Sequence, residues 1–503
     1  MLHNIRVALA SVFYVCITLL LLDFTGTLHH WLGWMAKIQF LPALLALNAV
    51  VVIALLLLTL VFGRIYCSVI CPLGVMQDVI AHIHSMHKKN RYSYSPAKTW
   101  LRLAMLIVFV VTLVAGISVI PALLAPYSSY GRIVNNLLQP LYIWCNNGLA
   151  AIAEHYESYA FYSKEVWLKS LPTFIIALVT FVIIAILAWR GGRTYCNTIC
   201  PVGTVLGYVA RFSWFKVHFD TEKCRSGSLC SKNCKASCID FKSHTVDYTR
   251  CVTCGECLKR CNFDALHYGH PKKQEARDKK QEARGEKQEA RDEKQEARRA
   301  FLLGSAIVAA DVALAQAGKK VDGGLATIED KKPARRTTPI TPPGSANARH
   351  MAQHCTACQL CVAQCPNDVL RPSSDLKTLM QPTLSYERGF CRPECTRCSE
   401  VCPTGAIRPI DTAQKTAIQV GHAVWVKENC LIVTKGVHCG NCARHCPSHA
   451  IMMVPLNPDD DESPMVPAVD RSKCIGCGAC EYLCPARPFS AIYVEGNEAH
   501  SSL

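Results

Sequence analysis

Twenty-four of the thirty cysteines fall into six sets of four, and that spacing constrains the chain more than any other feature. Cys251, Cys254, Cys257 and Cys261 keep the run in which three close thiolates cap one iron–sulfur cluster and the fourth reaches its neighbour. Before it stands a looser set, Cys224, Cys230, Cys234 and Cys238. Four sets follow in the C-terminal half: Cys355, Cys358, Cys361 and Cys365; Cys391, Cys395, Cys398 and Cys402; Cys430, Cys439, Cys442 and Cys446; Cys474, Cys477, Cys480 and Cys484. Each of these ends in Cys-Pro. Zinc sites use two separated pairs, so three close cysteines with a distant fourth point to [4Fe–4S] instead. Six clusters are expected, with iron held through these same cysteines. In the first module Cys261 is expected to complete the Cys224, Cys230, Cys234 site, and Cys238 the Cys251, Cys254, Cys257 site.

Half of the 503 residues are hydrophobic and the mean hydropathy is +0.16, too apolar for an ordinary soluble enzyme. Four stretches reach the roughly 20 residues a bilayer requires: Ile5 to Phe24, Leu41 to Phe62, Leu101 to Ile120, and Leu171 to Trp189. Arg64, Lys88, Lys89, Arg91 and Lys98 lie between the second and third, and Arg190, Arg193, Arg211 and Lys216 follow the fourth. The opposite loops hold only Lys37, then Arg132, Lys164 and Lys169. The positive-inside rule puts both ends of this four-helix unit in the cytoplasm. The expected fold class is therefore an α-helical membrane bundle of four spans with small α+β ferredoxin-like [4Fe–4S] domains, in which ligation substitutes for a large apolar core. The formal charge of +16 counts cysteines as neutral; six clusters at about −2 each leave about +4, which argues against a nucleic-acid partner. The spans contain no histidine and the chain no Cys-x-x-Cys-His, which excludes a bis-histidine haem and a c-type cytochrome.

Spans two and four end in one repeated phrase. Gly63-Arg64-Ile65-Tyr66-Cys67-Ser68-Val69-Ile70-Cys71-Pro72-Leu73-Gly74 is answered by Gly192-Arg193-Thr194-Tyr195-Cys196-Asn197-Thr198-Ile199-Cys200-Pro201-Val202-Gly203. The repeat brings Cys67, Cys71, Cys196 and Cys200 to one depth, with Arg64 and Arg193 beside them to favour thiolate or hold an anion. A redox site at the quinone-accessible interface is expected, with a further metal or a disulfide at the thiols; the plainer alternative is packing of small helix ends. Asp78 and His82, four apart on a helix, are candidate acceptors for the protons a quinol releases. A basic interfacial helix resting on anionic lipid is the alternative.

Residues 1–215 are read as the membrane domain and 216–271 as a cytoplasmic two-cluster domain. A seven-residue charged repeat fills 272–299, a solvated helical spacer about 42 Å long if fully helical. In 300–345, Arg298-Arg299 leads into a short apolar run ending near Ala313-Leu314-Ala315-Gln316-Ala317, the marks of a twin-arginine export signal. Pro333 to Pro343 reads as extended linker, and 346–503 as a four-cluster domain carried to the periplasm.

On these motifs the first half resembles membrane proteins of the NapH and NosR type, and the second resembles NapG, the exported four-cluster ferredoxin. The resemblance implies an inner-membrane quinol dehydrogenase that draws on the quinone pool and passes electrons to a periplasmic reductase or cytochrome. It also implies that the first and fourth motifs of the C-terminal domain interleave, as do the second and third. Cys484 would then complete the Cys355 cluster and Cys365 the Cys474 cluster. Two rival readings stand beside it: a copper reductase or assembly factor using the four membrane-edge thiols, and a quinone-independent relay fed from the cytoplasm.

Overall fold

The computed structural model describes residues 2–87, 92–158, 161–270 and 329–502, except 222, 226, 262, 264 and 461. The charged repeat at 272–299 and the twin-arginine segment through Ala317 lie outside the described residues. Seven longer helices organise the N-terminal half: α1 (Leu2–Leu22), α2 (Ala49–Phe62), α3 (Pro72–His87), α4 (Thr99–Val114), α5 (Gln139–His155), α6 (Leu171–Gly191) and α7 (Pro201–Ala210).

Two of the four expected spans, in α1 and α6, are long and apolar enough to cross a bilayer. The other two are interrupted. Leu41 to Phe62 divides into Phe40–Leu45 and α2, because Leu47 turns left-handed (φ 54°) and the Asn48 side chain caps a new helix by accepting from Val51 N. Leu101 to Ile120 divides into α4 and Val119–Leu124, with Gly116 at φ 75° between them. At 14 and 16 residues, α2 and α4 fall short of the roughly 20 needed.

The ends of these helices meet two different cysteine-rich modules. At the start of α1, His3 Nδ1 lies 3.2 Å from the Cys254 carbonyl; beyond its end, Asp23 O accepts from Gln364 Nε2 at 2.7 Å. Phe62, closing α2, accepts from the Tyr268 hydroxyl at 2.9 Å, while Ala46 near its start lies beside Gly405. In α4, Arg102 Nη1 donates to Thr249 Oγ1 at 2.9 Å, and Gly116 past its far end faces Gln353. Before α6, Lys169 Nζ donates to Val362 O at 3.4 Å; after it, Arg193 N donates to Lys235 O at 2.9 Å. All four helices thus run between the module at 216–270 and the module at 329–502. The length of α1, 21 residues, corresponds to about 31 Å.

Their flanks are apolar and bare. Only 28% of the apolar stretch in α1 and 22% of that in α6 is buried, whereas a soluble core helix would be mostly buried. Val12, Val50, Ile107, Val111, Ile175 and Val179, on all four helices, are exposed, more apolar surface than a soluble domain commonly leaves bare. Exposed Trp100 and Trp214 lie toward the first module and Trp31 toward the second, as in the aromatic belts of bilayer interfaces.

The segment after Leu123, expected as an outer loop, turns inward. Pro126–Ile133 is a helix with all eight residues buried, packed on α3 and α6. Two of its polar side chains are paired locally, which lowers the cost of burying them: Arg132, fully buried, donates to Ala122 O at 2.8 Å and to Ser129 Oγ at 3.1 Å, and Ser129 Oγ donates to Leu123 O at 2.8 Å.

Both modules are thin folds of two-stranded antiparallel sheets. Lys216–Phe219 pairs with Leu266–Gly269 in the first; Ile418–Trp425 with Ile492–Ser502, and Ile451–Pro455 with Met465–Val469, in the second. The stretch Pro333 to Pro343 is not a free linker. Arg336 Nη2 pairs with Glu481 at 2.6 Å, and Ile340 is fully buried, so the second module begins ahead of 346.

His500, in the last strand, lies 2.9 Å from Thr341 Oγ1, and burial pushes its pKa down to about 4. Between pH 6.5 and about 4 the unfolded chain binds a proton that the folded module excludes, so stability falls as pH drops through that window. The melting temperature of the module is expected to fall between pH 7 and 5, with His500→Gln flattening the slope. Equal slopes in the two proteins would remove His500 as the cause.

Candidate iron–sulfur electron-transfer site

The repeated motif folds the same way twice, and most of its letters have a structural cause. Gly63 (φ 74°) and Gly192 (φ 64°) end α2 and α6 in conformations that L side chains avoid. Short turns follow, Tyr66–Ile70 with π-helical geometry and Thr194–Thr198, carrying Cys67 and Cys196. Cys71 and Cys200 are extended, and Pro72 and Pro201 open α3 and α7 where a missing N–H costs nothing. A Cβ on Gly74 would lie 2.3 Å from Cys67 O, and one on Gly203 2.2 Å from Cys196 O, so both positions require glycine.

The two arms then exchange arginines. Arg64 Nη2 donates to Cys196 O at 3.2 Å and lies 3.8 Å from Cys67 Sγ; Arg193 Nη1 donates to Cys67 O at 2.7 Å and lies 4.0 Å from Cys196 Sγ. Both guanidinium groups and all four thiols are buried. Gln77 Nε2 donates to Cys196 Sγ at 3.2 Å and Gly203 N to Cys200 Sγ at 3.3 Å. The thiols are free of disulfides, and among the described residues no three His, Cys, Asp or Glu side chains converge as a single metal ion would require.

Asp78 and His82 do not form the expected proton-accepting pair. The Asp78 carboxylate is occupied by Arg193 Nε at 2.9 Å, Arg193 Nη2 at 2.7 Å and Arg6 Nη1 at 2.9 Å, with Lys235 Nζ at 3.7 Å. His82 is exposed on the same helix. One carboxylate among three cations is a buried counter-charge rather than a vacant base. Arg6 and Lys235 were not legible as site residues, because nothing in their sequence neighbourhood marks them, whereas Gln77 stands beside Asp78 in the run just after the first motif.

Each arm faces one cysteine loop of the first module. Arg64 Nη1 donates to Thr249 O at 3.1 Å, just before Cys251, and Asn197 Nδ2 to Ala236 O at 3.3 Å, between Cys234 and Cys238. On the opposite side the Tyr195 hydroxyl donates to Leu124 O at 3.0 Å, on the inward-turned segment. That segment then meets the second module, where a Cβ on Gly131 would lie 2.4 Å from Cys358 O. Arg132 is a charged neighbour of both Tyr195 and Cys358, and Tyr127 adjoins Cys358 and Cys402.

The cysteine sets of both modules fit iron–sulfur ligation. Backbone N–H groups point at the closing thiols: Ala265 at Cys261 (3.3 Å), Ile407 at Cys402 (3.4 Å), Ala450 at Cys446 (3.2 Å) and Ala491 at Cys484 (3.3 Å). Cys430, Cys439, Cys442 and Cys484 line one common pocket. Burial pushes the thiols of Cys358 and Cys477 up to about 12 and that of Cys442 to about 11, so a ligated metal replaces protons these groups would otherwise keep.

Their grouping departs from the pairing the resemblance implied. Cys402 is the neighbour of Cys355, Cys358 and Cys361, and Cys365 that of Cys391 and Cys398. Cys484 joins Cys439 and Cys442, and Cys446 joins Cys474, Cys477 and Cys480. Motifs adjacent in sequence therefore interleave, first with second and third with fourth. In the first module Cys261 lies by Cys230 and Cys238 by Cys251, while Cys234 Sγ is 3.5 Å from Cys238 Sγ.

Fold and site together define an iron–sulfur electron-transfer protein of the ferredoxin type. By sequence the chain belongs to the MauM family of ferredoxin-type proteins: it is 34% identical to the methylamine utilization ferredoxin-type protein MauM of Methylobacillus flagellatus over 158 residues, 30% of this chain and 67% of that one. It is 26% identical to the ferredoxin-type protein NapF of Escherichia coli K12 over 179 residues, 35% of this chain and 99% of NapF. A match to the putative electron transport protein YccM of the same strain is 26% identical over 225 residues, 43% of this chain and 54% of YccM. A 4Fe-4S binding domain model matches residues 44–91 and again 173–221, the two arms of the repeat. Models of 4Fe-4S dicluster domains match 323–370 and 435–487. No solved structure matches the chain.

Proposed function

We propose that the protein is an inner-membrane electron conduit, carrying electrons from the 216–270 module on the cytoplasmic face to the 329–502 module on the periplasmic face and on to a partner reductase or cytochrome. Six [4Fe–4S] clusters, four thiolates each, supply one-electron chemistry. The observation that carries the reading is the inward-turned segment 119–138. It touches the thiol motif through Leu124 and Tyr195, and the Cys358 loop through Gly131, so packed protein spans the distance between the modules. All four long helices ending on the same two modules support four crossings, with α2 and α4 completed by their short flanking helices. The basic residues toward the first module support its cytoplasmic side.

Quinol oxidation at the thiol motifs is the second reading. His84 favours it: the ring stacks on Trp189 at 4.2 Å at the end of α6, where a quinol headgroup and a proton acceptor would meet. The test uses vesicles holding the full chain with the first module outward and an impermeant reductant outside. Electron paramagnetic resonance of the second module's clusters is expected to appear in the wild type, and to appear more slowly in Gly131→Val, whose side chain drives segment 119–138 off the Cys358 loop. Signals that never pass beyond the first module would overturn the conduit. Reduction by quinol alone in a parallel sample would establish the second reading as its donor step.

A further inference from the structure

We infer that Lys415 and Lys169 are the positive charges that raise the potential of the cluster held by Cys391, Cys395, Cys398 and Cys365, making it the first in the second module to accept an electron. The inference needs only that these thiols ligate iron, and it stands whichever way electrons cross the protein.

Local structure places Lys415. It belongs to the short helix Thr412–Ala417, which opens on a capping box: Asp411 accepts from Gln414 N at 2.7 Å, and Gln414 Oε1 accepts from Asp411 N at 3.1 Å. The helix turns the lysine inward, where it is 6% exposed. Its Nζ donates to Arg392 O at 2.5 Å and to Cys395 O, clamping the loop that carries Cys391 and Cys395. It is a charged and hydrogen-bonding neighbour of the Cys391 thiol and a charged neighbour of Cys398. Among the described residues Lys415 enters no ion pair, and Asp411, one turn before it, is spent on the helix cap. A buried ammonium with no carboxylate calls for another anion beside it, and a thiolate-bound cluster at Cys391 and Cys398 is one.

Lys169 approaches the same set from the helical half, just before α6. Its Nζ donates to Gln139 Oε1 and to Val362 O, each at 3.4 Å, and it is a charged neighbour of Cys365 and Cys361. Asp368, the carboxylate beside it, is paired with Lys164 at 3.4 Å. Cations near the other sets are spent differently. Lys331 donates to Glu481 O, Tyr482 O and Cys484 O, and Arg487 to Cys484 O, while buried Glu481 adds a negative charge beside Cys480. Arg132, by Cys358, gives its hydrogen bonds to Ala122 O and Ser129 Oγ.

The sign of the effect follows from charge. A [4Fe–4S] cluster on four thiolates carries about −2, and about −3 once it has taken an electron. A fixed positive charge in a site of low dielectric favours the more negative state, and a hydrogen bond to a ligand sulfur acts in the same direction. The step is the gain of one electron, supplied in the test below by dithionite, with no bond made or broken.

The experiment is a dithionite titration of the full-length protein, purified anaerobically, followed by electron paramagnetic resonance and iron analysis. Cys391→Ser identifies the signal of this cluster by its loss. In the wild type that signal is expected to appear before the others of the second module. Lys415→Met and Lys169→Met are expected to keep their iron and to shift this one midpoint downward, leaving the remaining signals in place. Lys415→Arg, which keeps the charge, is expected to hold the wild-type midpoint. If Lys415→Met loses iron, Lys169→Met decides the matter, since its ammonium lies outside the Cys391 loop. An unchanged midpoint in either methionine variant that retains its iron would overturn the inference. So would a Lys415→Arg midpoint as low as that of Lys415→Met, which would leave the lysine a purely structural clamp, or a wild type in which another cluster of this module is reduced first.

Discussion

Asp78→Ala is expected to destabilise the helical half of the protein by about 3–5 kcal/mol, the cost of stripping one partner from a buried ion pair. The carboxylate receives Arg193 through two nitrogens and Arg6 through one, with Lys235 close by, and both arginines are buried. Removing it leaves two buried guanidinium groups without a counter-charge. It also unties three parts of the chain, since Arg6 lies on α1, Arg193 follows α6, and Lys235 belongs to the first module. Asp78→Asn keeps the shape and some acceptor capacity, so a smaller loss is expected, and His82→Ala, at an exposed position, should be neutral. The yield of monodisperse protein and its melting temperature in detergent would check the series. Wild-type stability in Asp78→Ala would mean that water or the lipid interface solvates the arginines. A folded Asp78→Asn that lost quinol oxidation alone would restore Asp78 as a proton acceptor.

The second large effect concerns the interleaved motifs. Cys402→Ser is expected to abolish the same spectroscopic signal as Cys361→Ser, because Cys402 closes the site of Cys355, Cys358 and Cys361. Likewise Cys484→Ser is expected to match Cys442→Ser, whose thiols share one cavity. Each variant should lose about four irons, one [4Fe–4S] cluster. The pairing by resemblance predicts otherwise, with Cys484→Ser matching Cys361→Ser. Electron paramagnetic resonance of the four single variants, reduced identically, separates the two schemes.

Some of this was open to reading in the one-letter code because ligation is local. Three of a cluster's thiolates come from one short loop, so Cys-x-x-Cys-x-x-Cys announces the cofactor wherever the loop is placed. The repeated Gly-Arg-x-Tyr-Cys motif was equally plain, since glycine, proline and cysteine each answer a backbone or ligand requirement at their own position. The partner of each loop was not legible. The fourth thiolate comes from another loop, and which one approaches depends on how the thin sheets stack; here neighbouring motifs interleave.

Helix lengths misled for a related reason. Hydropathy sees Leu41 to Phe62 as continuous, yet Asn48 offers its side chain to Val51 N and starts the helix afresh. Pro126–Ile133 misled in the other direction. Ser129 and Arg132 look like part of an exposed loop, and their burial is supported by Ala122 O, Leu123 O and Ser129 Oγ, which accept their hydrogen bonds.

The sequence alone therefore determined the kind of cofactor, the internal repeat and the apolar stretches, because each is written in a short run of residues. Tertiary structure decided which thiols share a site, where Asp78 spends its charge, and that the segment after Leu123 packs between thiol motif and second module. Those outcomes depend on contacts between residues more than a hundred positions apart, Asp78 with Arg193 and Gly131 with Cys358 among them, and local pattern carries no record of such pairs.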